Sequence, residues 1–153
     1  MIEWIQGIDH SVLSWIVANL RHTVLTPIVV FVTSLGNAGL IWIVLSLILL
    51  IRPKTRRCGL AMLTALMLGL LIGNFGVKNI VARSRPFVTY PEITPLVTPG
   101  DVYSFPSGHT LSSFCAATAC LYYSRKGGAA CAVLAILIGL SRLYVGVHYP
   151  CLL

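Results

Sequence analysis

Long uncharged apolar runs make up most of this chain, and its few charges stand where those runs stop. Of its 153 residues, 57% are hydrophobic and 10% are charged. A soluble domain of this size carries charged residues at roughly a quarter of its positions, and 153 residues cannot bury this much apolar surface among themselves. Crossing the hydrocarbon layer takes roughly 20 apolar residues in helical form, and several stretches supply them. The fold class expected is an all-α integral membrane protein, a multi-helix transmembrane bundle in one domain over 1–153.

The formal net charge of +7 invites a nucleic-acid reading, which the placement of the charges removes. Arg52, Lys54, Arg56, Arg57, Arg125 and Lys126 sit in two short connectors, as cytoplasmic loops do under the positive-inside rule. Lys78, Arg83, Arg85 and Arg142 lie at the ends of apolar segments on the opposite side. No basic stripe or soluble module remains to hold a nucleic acid. A multi-pass membrane protein is expected, with the bilayer as its surroundings and oligomeric state left open.

Residues 1–21 recur in apolar type at Ile2, Ile5, Ile8, Val12, Trp15 and Ile16, which predicts an amphipathic helix in the membrane interface. Residues 24–51 are apolar but broken at Gly36-Asn37-Ala38-Gly39, either as one bent span or as a re-entrant helix followed by a span. Residues 59–81 predict a clear span, with Gly69 and Gly73 spaced for close helix packing and an end at Arg85-Pro86. An outer Pro-rich loop fills 87–105. Spans near 106–123 and 129–146 follow, joined by an inner basic turn over Ser124–Gly128. The five cysteines form no metal-ligand spacing, so neither a disulfide nor a metal is expected. The N-terminus lacks the cationic region of a cleaved signal peptide.

The outer side receives three polar groups. Lys78 and Arg85 are two helical turns apart, so they should point the same way; alone they read as a snorkelling pair. Pro106-Ser107-Gly108-His109 opens a span, and free amides at such a start cradle anions; alone this is an ordinary capped helix. Arg142 and His148 end the last span, and either by itself is unremarkable. Their convergence on one side is what the plain alternatives leave unexplained. Three cations can neutralise the oxygens of a phosphate ester. Phosphoryl transfer depends mainly on positioning and on that charge. Two imidazoles can then divide attack at phosphorus from protonation of the leaving oxygen. With no carboxylate cluster to hold magnesium, metal-independent chemistry without a cofactor is expected.

These residues resemble the type 2 phosphatidic acid phosphatase family, which shares its active-site plan with the vanadium haloperoxidases. Its pattern is KxxxxxxRP, then PSGH, then SRxxxxxHxxxD. The first is complete as Lys78, Arg85 and Pro86, the second as Pro106, Ser107, Gly108 and His109, and the third runs as Ser141, Arg142 and His148. The resemblance covers roughly 22–151. It implies phosphate binding by Lys78, Arg85, Ser107, Gly108 and Arg142, a general acid at His109, and a transiently phosphorylated nucleophile at His148. Substrates implied are undecaprenyl diphosphate, phosphatidylglycerophosphate and phosphatidic acid, hydrolysed at the outer face of the membrane.

One position departs from the pattern. The family places Asp four residues after the nucleophilic histidine and continues into a further membrane helix; here position 152 is leucine and the sequence stops at Leu153. In a Ser-His-Asp triad the equivalent loss lowers turnover by about ten-thousandfold. A truncated or frame-altered ending is expected over a degenerate member that binds lipid phosphate without turnover, and the Leu153 carboxylate is a remote stand-in. A small transporter subunit is a weaker rival, since the polar residues gather at one surface. The spans exclude a soluble haloperoxidase.

Overall fold

The computed structural model describes residues 2–152, with side chains from Trp4 to Cys151. Every regular element among them is helical. Helix α1 (Ile2–Asn19) precedes α2 (Leu25–Leu35) and α3 (Leu40–Ile51). Next come α4 (Arg56–Gly69), a π-helical stretch Leu70–Val77, and α5 (Lys78–Val81). The short α6 (Pro86–Thr89) starts the long loop that leads to α7, and α7 (Gly108–Tyr123) and α8 (Arg125–Tyr144) form a hairpin. Arg56–Thr89 and Arg125–Tyr144 are long and apolar enough to cross a membrane. The broken stretch resolves as a bent pair: Leu25–Leu35 and Asn37–Ile51 meet at 45°, where Ala38 and Gly39 take left-handed backbone angles (φ 52° and 65°).

Helix α7 is the inner member of the bundle, packed on α8 and α4, while α3 packs on α4 and α2 on α8. Its inward side is small and polar (Thr110, Ser113, Ala116, Ala117 and Cys120 are buried), so neighbouring helices approach closely. Trp42 of α3 fills the space this leaves and donates its indole N–H to Ser113 Oγ (2.9 Å). Gly69 and Gly73 face α7 as their spacing predicts. A Cβ on Gly69 would fall 3.0 Å from Cys115 Sγ, and one on Gly73 would collide with Leu111 Cδ2. With 16 residues, α7 is a little shorter than a typical crossing, and it is buried on one side only, with Phe114, Leu121, Tyr122 and Tyr123 exposed. A second apolar cluster (Leu13, Ile16, Ile93, Leu143, Val145, Val147 and Tyr149 among its members) lies under α1 at the other end.

Two boundaries differ from the sequence reading. The long helix stops at Ala82, which is left-handed (φ 44°) and whose N–H bonds to the Lys78 carbonyl (3.0 Å); a helix-ending turn there acts before Pro86 can. The basic turn expected over Ser124–Gly128 is the first turn of α8. Ser124 alone is non-helical, closing α7 and capping α8 by accepting from Gly127 N–H (3.1 Å). Finally, α1 docks through Asp9, Leu13 and Ile16, while Trp4, Ile5, Ile8, Val12 and Trp15 face outward. Of the described members of the apolar stripe, Ile5, Ile8, Val12 and Trp15 face the surroundings and Ile16 faces the bundle.

Candidate active site

Three buried cations meet at the N-terminal end of α7. Taking a charge out of water costs several kcal/mol unless it is paired, so each must be accounted for. Lys78, at the start of α5, donates to Asp101 Oδ2 (2.5 Å). Arg85, extended just before Pro86, donates from Nε to the Asp101 carbonyl (3.0 Å) and from Nη1 to the Val147 carbonyl (2.8 Å), while Nη2 pairs with the Asp101 carboxylate. Burial alone would raise the Asp101 carboxyl, but Lys78 and Arg85 outweigh it and hold it below the usual carboxylate range. Lys78 and Arg85 therefore converge through a shared carboxylate, since the helix that was to align them ends at Ala82.

Arg142 is the cation left over. It is 4% exposed, and its Nη1 donates to Thr33 Oγ1 (2.7 Å). Its Nε has no partner, and no carboxylate stands within 4.0 Å of it among the described residues. A buried donor left unpaired costs about 1–3 kcal/mol, a cost that an incoming anion would remove.

His148 follows α8 through a reversal at Gly146, whose φ of 77° suits glycine and where a Cβ would meet Arg21 Nη2 at 2.7 Å. The ring is buried. Its Nδ1 lies 2.6 Å from the Ser104 carbonyl and its Nε2 lies 3.4 Å from Arg85 Nη1. A carbonyl only accepts, so Nδ1 carries the proton and Nε2 offers a lone pair. Burial, with the charges of Arg142 and Arg85, pushes this imidazole well below its ordinary value of 6.5. It is neutral at pH 7.

His109 stands in the first turn of α7, which Ser107 caps by accepting from the Thr110 N–H (3.4 Å) and hydroxyl (3.1 Å). The His109 Nε2–H donates to Asn37 Oδ1 (2.9 Å). A Cβ on Gly36 would come within 2.7 Å of the His109 ring, so glycine makes room for the imidazole. A cavity of about 700 Å³ joins these groups. Arg85, Asp101, Gly108, His109, Arg142 and His148 line its polar end, and Ile43, Leu63, Leu66, Met67 and Leu70 line the remainder between α3 and α4. Of the seven residues singled out in the sequence, five face this space. Lys78 reaches it through Asp101, and Ser107 is occupied as a helix cap.

Residues 58–151 match the PAP2 superfamily. The chain belongs to that superfamily. An undecaprenyl-diphosphatase of Sulfolobus acidocaldarius is 33% identical over 128 residues, which is 82% of this chain and 61% of that protein. The undecaprenyl-diphosphatase BcrC of Bacillus subtilis is 32% identical over 130 residues, 85% and 66% of the two chains. The chain thus spans a little under two thirds of these relatives' length. The solved transmembrane PAP2-type phosphatidylglycerolphosphate phosphatase of Bacillus subtilis is similar with a TM-score of 0.75 at 27% identity, over 95% of this chain and 75% of that one. This PAP2 chain is a membrane protein of all-helical fold.

Four groups at the site of this PAP2 chain escaped the sequence reading: Asp101, Asn37, Thr33 and the Ser104 carbonyl. Only Asp101 left a signal. With four acidic residues in the whole chain, an aspartate in the loop between two cationic motifs has few other partners. Away from the cavity, Asp9 of α1 is fully buried; it pairs with Arg83 (2.9 Å) and accepts from the Cys151 N–H (3.0 Å). That clasp holds the segment after His148 against α1. The side chain of Leu152, and Leu153, lie outside the described residues.

Proposed function

We propose that this chain hydrolyses a lipid phosphate or diphosphate at the outer face of the bacterial plasma membrane, through a phosphohistidine and without a metal. The observation that carries this is Arg142. A buried cation with an unpaired Nε, beside Arg85 and a neutral His148, stands at the polar head of a cavity whose other end is apolar. That combination suits an anionic headgroup on a long hydrocarbon tail. The basic connectors at the opposite end support the outward orientation. Undecaprenyl diphosphate is the first candidate, from the names of the two relatives, with phosphatidylglycerophosphate and phosphatidic acid next.

In this reading His148 Nε2 attacks phosphorus, a P–N bond forms and the bond to the lipid oxygen breaks. The departing oxygen takes a proton from Nδ1 of His109, which enters the step as the imidazolium with its Nε2–H held by Asn37. Lys78, Arg85, Arg142 and the Gly108 backbone at the helix start carry the charge on the non-bridging oxygens, with Ser107 shaping that start. Water then attacks phosphorus and gives a proton to His109, and the P–N bond returns its electron pair to Nε2. Three cations and a helix start supply the charge neutralisation that a metal ion provides elsewhere.

The test is phosphate release from undecaprenyl diphosphate in EDTA, with acid quenching to trap an acid-labile phosphoryl group on His148. Release in EDTA with label on His148 is the expected result. Binding without release or label would favour the alternative, a lipid-phosphate binder, which Leu152 at the motif position keeps in view. Asp101 gives an independent check. Its carboxylate and a phosphoryl group compete for Lys78 and Arg85. Asp101→Asn should therefore bind orthovanadate about tenfold more tightly in a calorimetric titration, since hydrogen bonds to charged groups are worth roughly 1.5–3 kcal/mol.

A further inference from the structure

We propose that Ser104 is a positioning residue whose carbonyl holds the His148 imidazole in the tautomer needed for attack. The inference rests on the phosphohistidine reading above and supplies what that reading lacks. A histidine nucleophile needs one ring nitrogen protonated and held, so that the other presents its lone pair. Position 152 is leucine, so the carboxylate that the family pattern provides is not available from there. Among the described residues, the acceptor at His148 Nδ1 is the Ser104 carbonyl, at 2.6 Å.

Ser104 is built to hold that position. It is fully buried. Its N–H donates to the Arg83 carbonyl (2.8 Å). Its hydroxyl lies within reach of the carbonyls of Arg83 (3.1 Å) and Ser84 (2.9 Å) and can donate to one at a time. Both contacts fasten Ser104 to the two residues before Arg85. Arg85 in turn donates to the Val147 carbonyl, next to His148. One rigid strut therefore sets the orientation of the nucleophile and the place of a phosphate-binding arginine together. It lies at the end of the outer loop, two residues before Pro106, and so joins all three motif segments.

A carbonyl differs from a carboxylate in one respect. It fixes the proton on Nδ1 but brings no negative charge to the imidazolium that forms when Nε2 is phosphorylated. Ser104 should therefore serve orientation fully and charge stabilisation weakly.

Nitrogen-15 NMR of the full chain, labelled at histidine and held in lipid nanodiscs, tests this without substrate. The His148 signals are assigned by their loss in His148→Asn. Wild type should show Nδ1 protonated and Nε2 bare at pH 7. Ser104→Ala should mix the two tautomers and lower kcat about 10- to 100-fold with little change in KM, as loss of an outer-shell orienting group does. Ser104→Thr, which keeps the hydroxyl, should restore both. A proton on Nε2 in the wild type would overturn the proposal, even if the variants failed to fold. An unchanged tautomer and kcat in Ser104→Ala would also overturn it. An Nδ1 proton lost in Ser104→Ala, in a chain that never labels at His148, would support the strut and sink the phosphohistidine reading instead.

Discussion

Replacing His148 with asparagine should abolish phosphate release, by about four to six orders of magnitude, as loss of a covalent nucleophile does in other enzymes. Asparagine isolates the chemistry well here. Its amide N–H can still donate to the Ser104 carbonyl, which lies 2.6 Å from Nδ1 in the native protein. The buried acceptor stays paired while the nucleophilic lone pair disappears. Measured as phosphate released per protein, with acid-quenched label on the protein as a second readout, both signals should vanish. Residual turnover above about one hundredth of wild type, well outside that range, would mean that water attacks the lipid phosphate directly. His148 would then be a binding residue.

Arg142→Met should separate activity from stability. Under the proposed function, turnover falls about 10²- to 10³-fold, the usual effect of removing one preorganised donor to a developing oxyanion. Stability should move the other way or stay level. Arg142 is buried with an unpaired Nε and no carboxylate within reach among the described residues. Exchanging an uncompensated buried cation for an apolar chain of similar length is neutral or stabilising. The remaining partner, Thr33 Oγ1, is a hydroxyl that can turn to a nearby carbonyl. Thermal unfolding in detergent should show a melting temperature equal to or above wild type. A large drop in melting temperature would recast Arg142 as a structural residue of the α2–α8 contact.

The membrane class and the residues facing the cavity were legible because each rests on local chemistry. Apolar runs declare their solvent, and Pro106-Ser107-Gly108-His109 declares a helix start at a fixed register. What the sequence hid was set by tertiary packing. Nothing adjacent to Ala82 marks it as left-handed, and the helix ends there because the chain must turn toward Ser104, whose N–H reaches back to the Arg83 carbonyl (2.8 Å). Asn37 and Thr33 carry no motif, and they matter because the bend near Gly39 brings them over His109 and Arg142. A backbone acceptor is hardest to foresee, because every residue owns one and only the fold selects Ser104. Ser107 shows the reverse case, a motif residue whose hydroxyl is taken up by Thr110.

The single non-helical residue between α7 and α8 has a consequence for length variation. His109 and Arg142 lie at the same end of this hairpin, each a full helix away from Ser124. One inserted residue turns a helix by about 100° and lengthens it by about 1.5 Å, and no slack loop exists at the hairpin tip to absorb it. An insertion or deletion there, at the end farthest from the cavity, would swing Arg142 off its bearing on His109. Evolution can alter the identity of residues at that tip far more freely than their number.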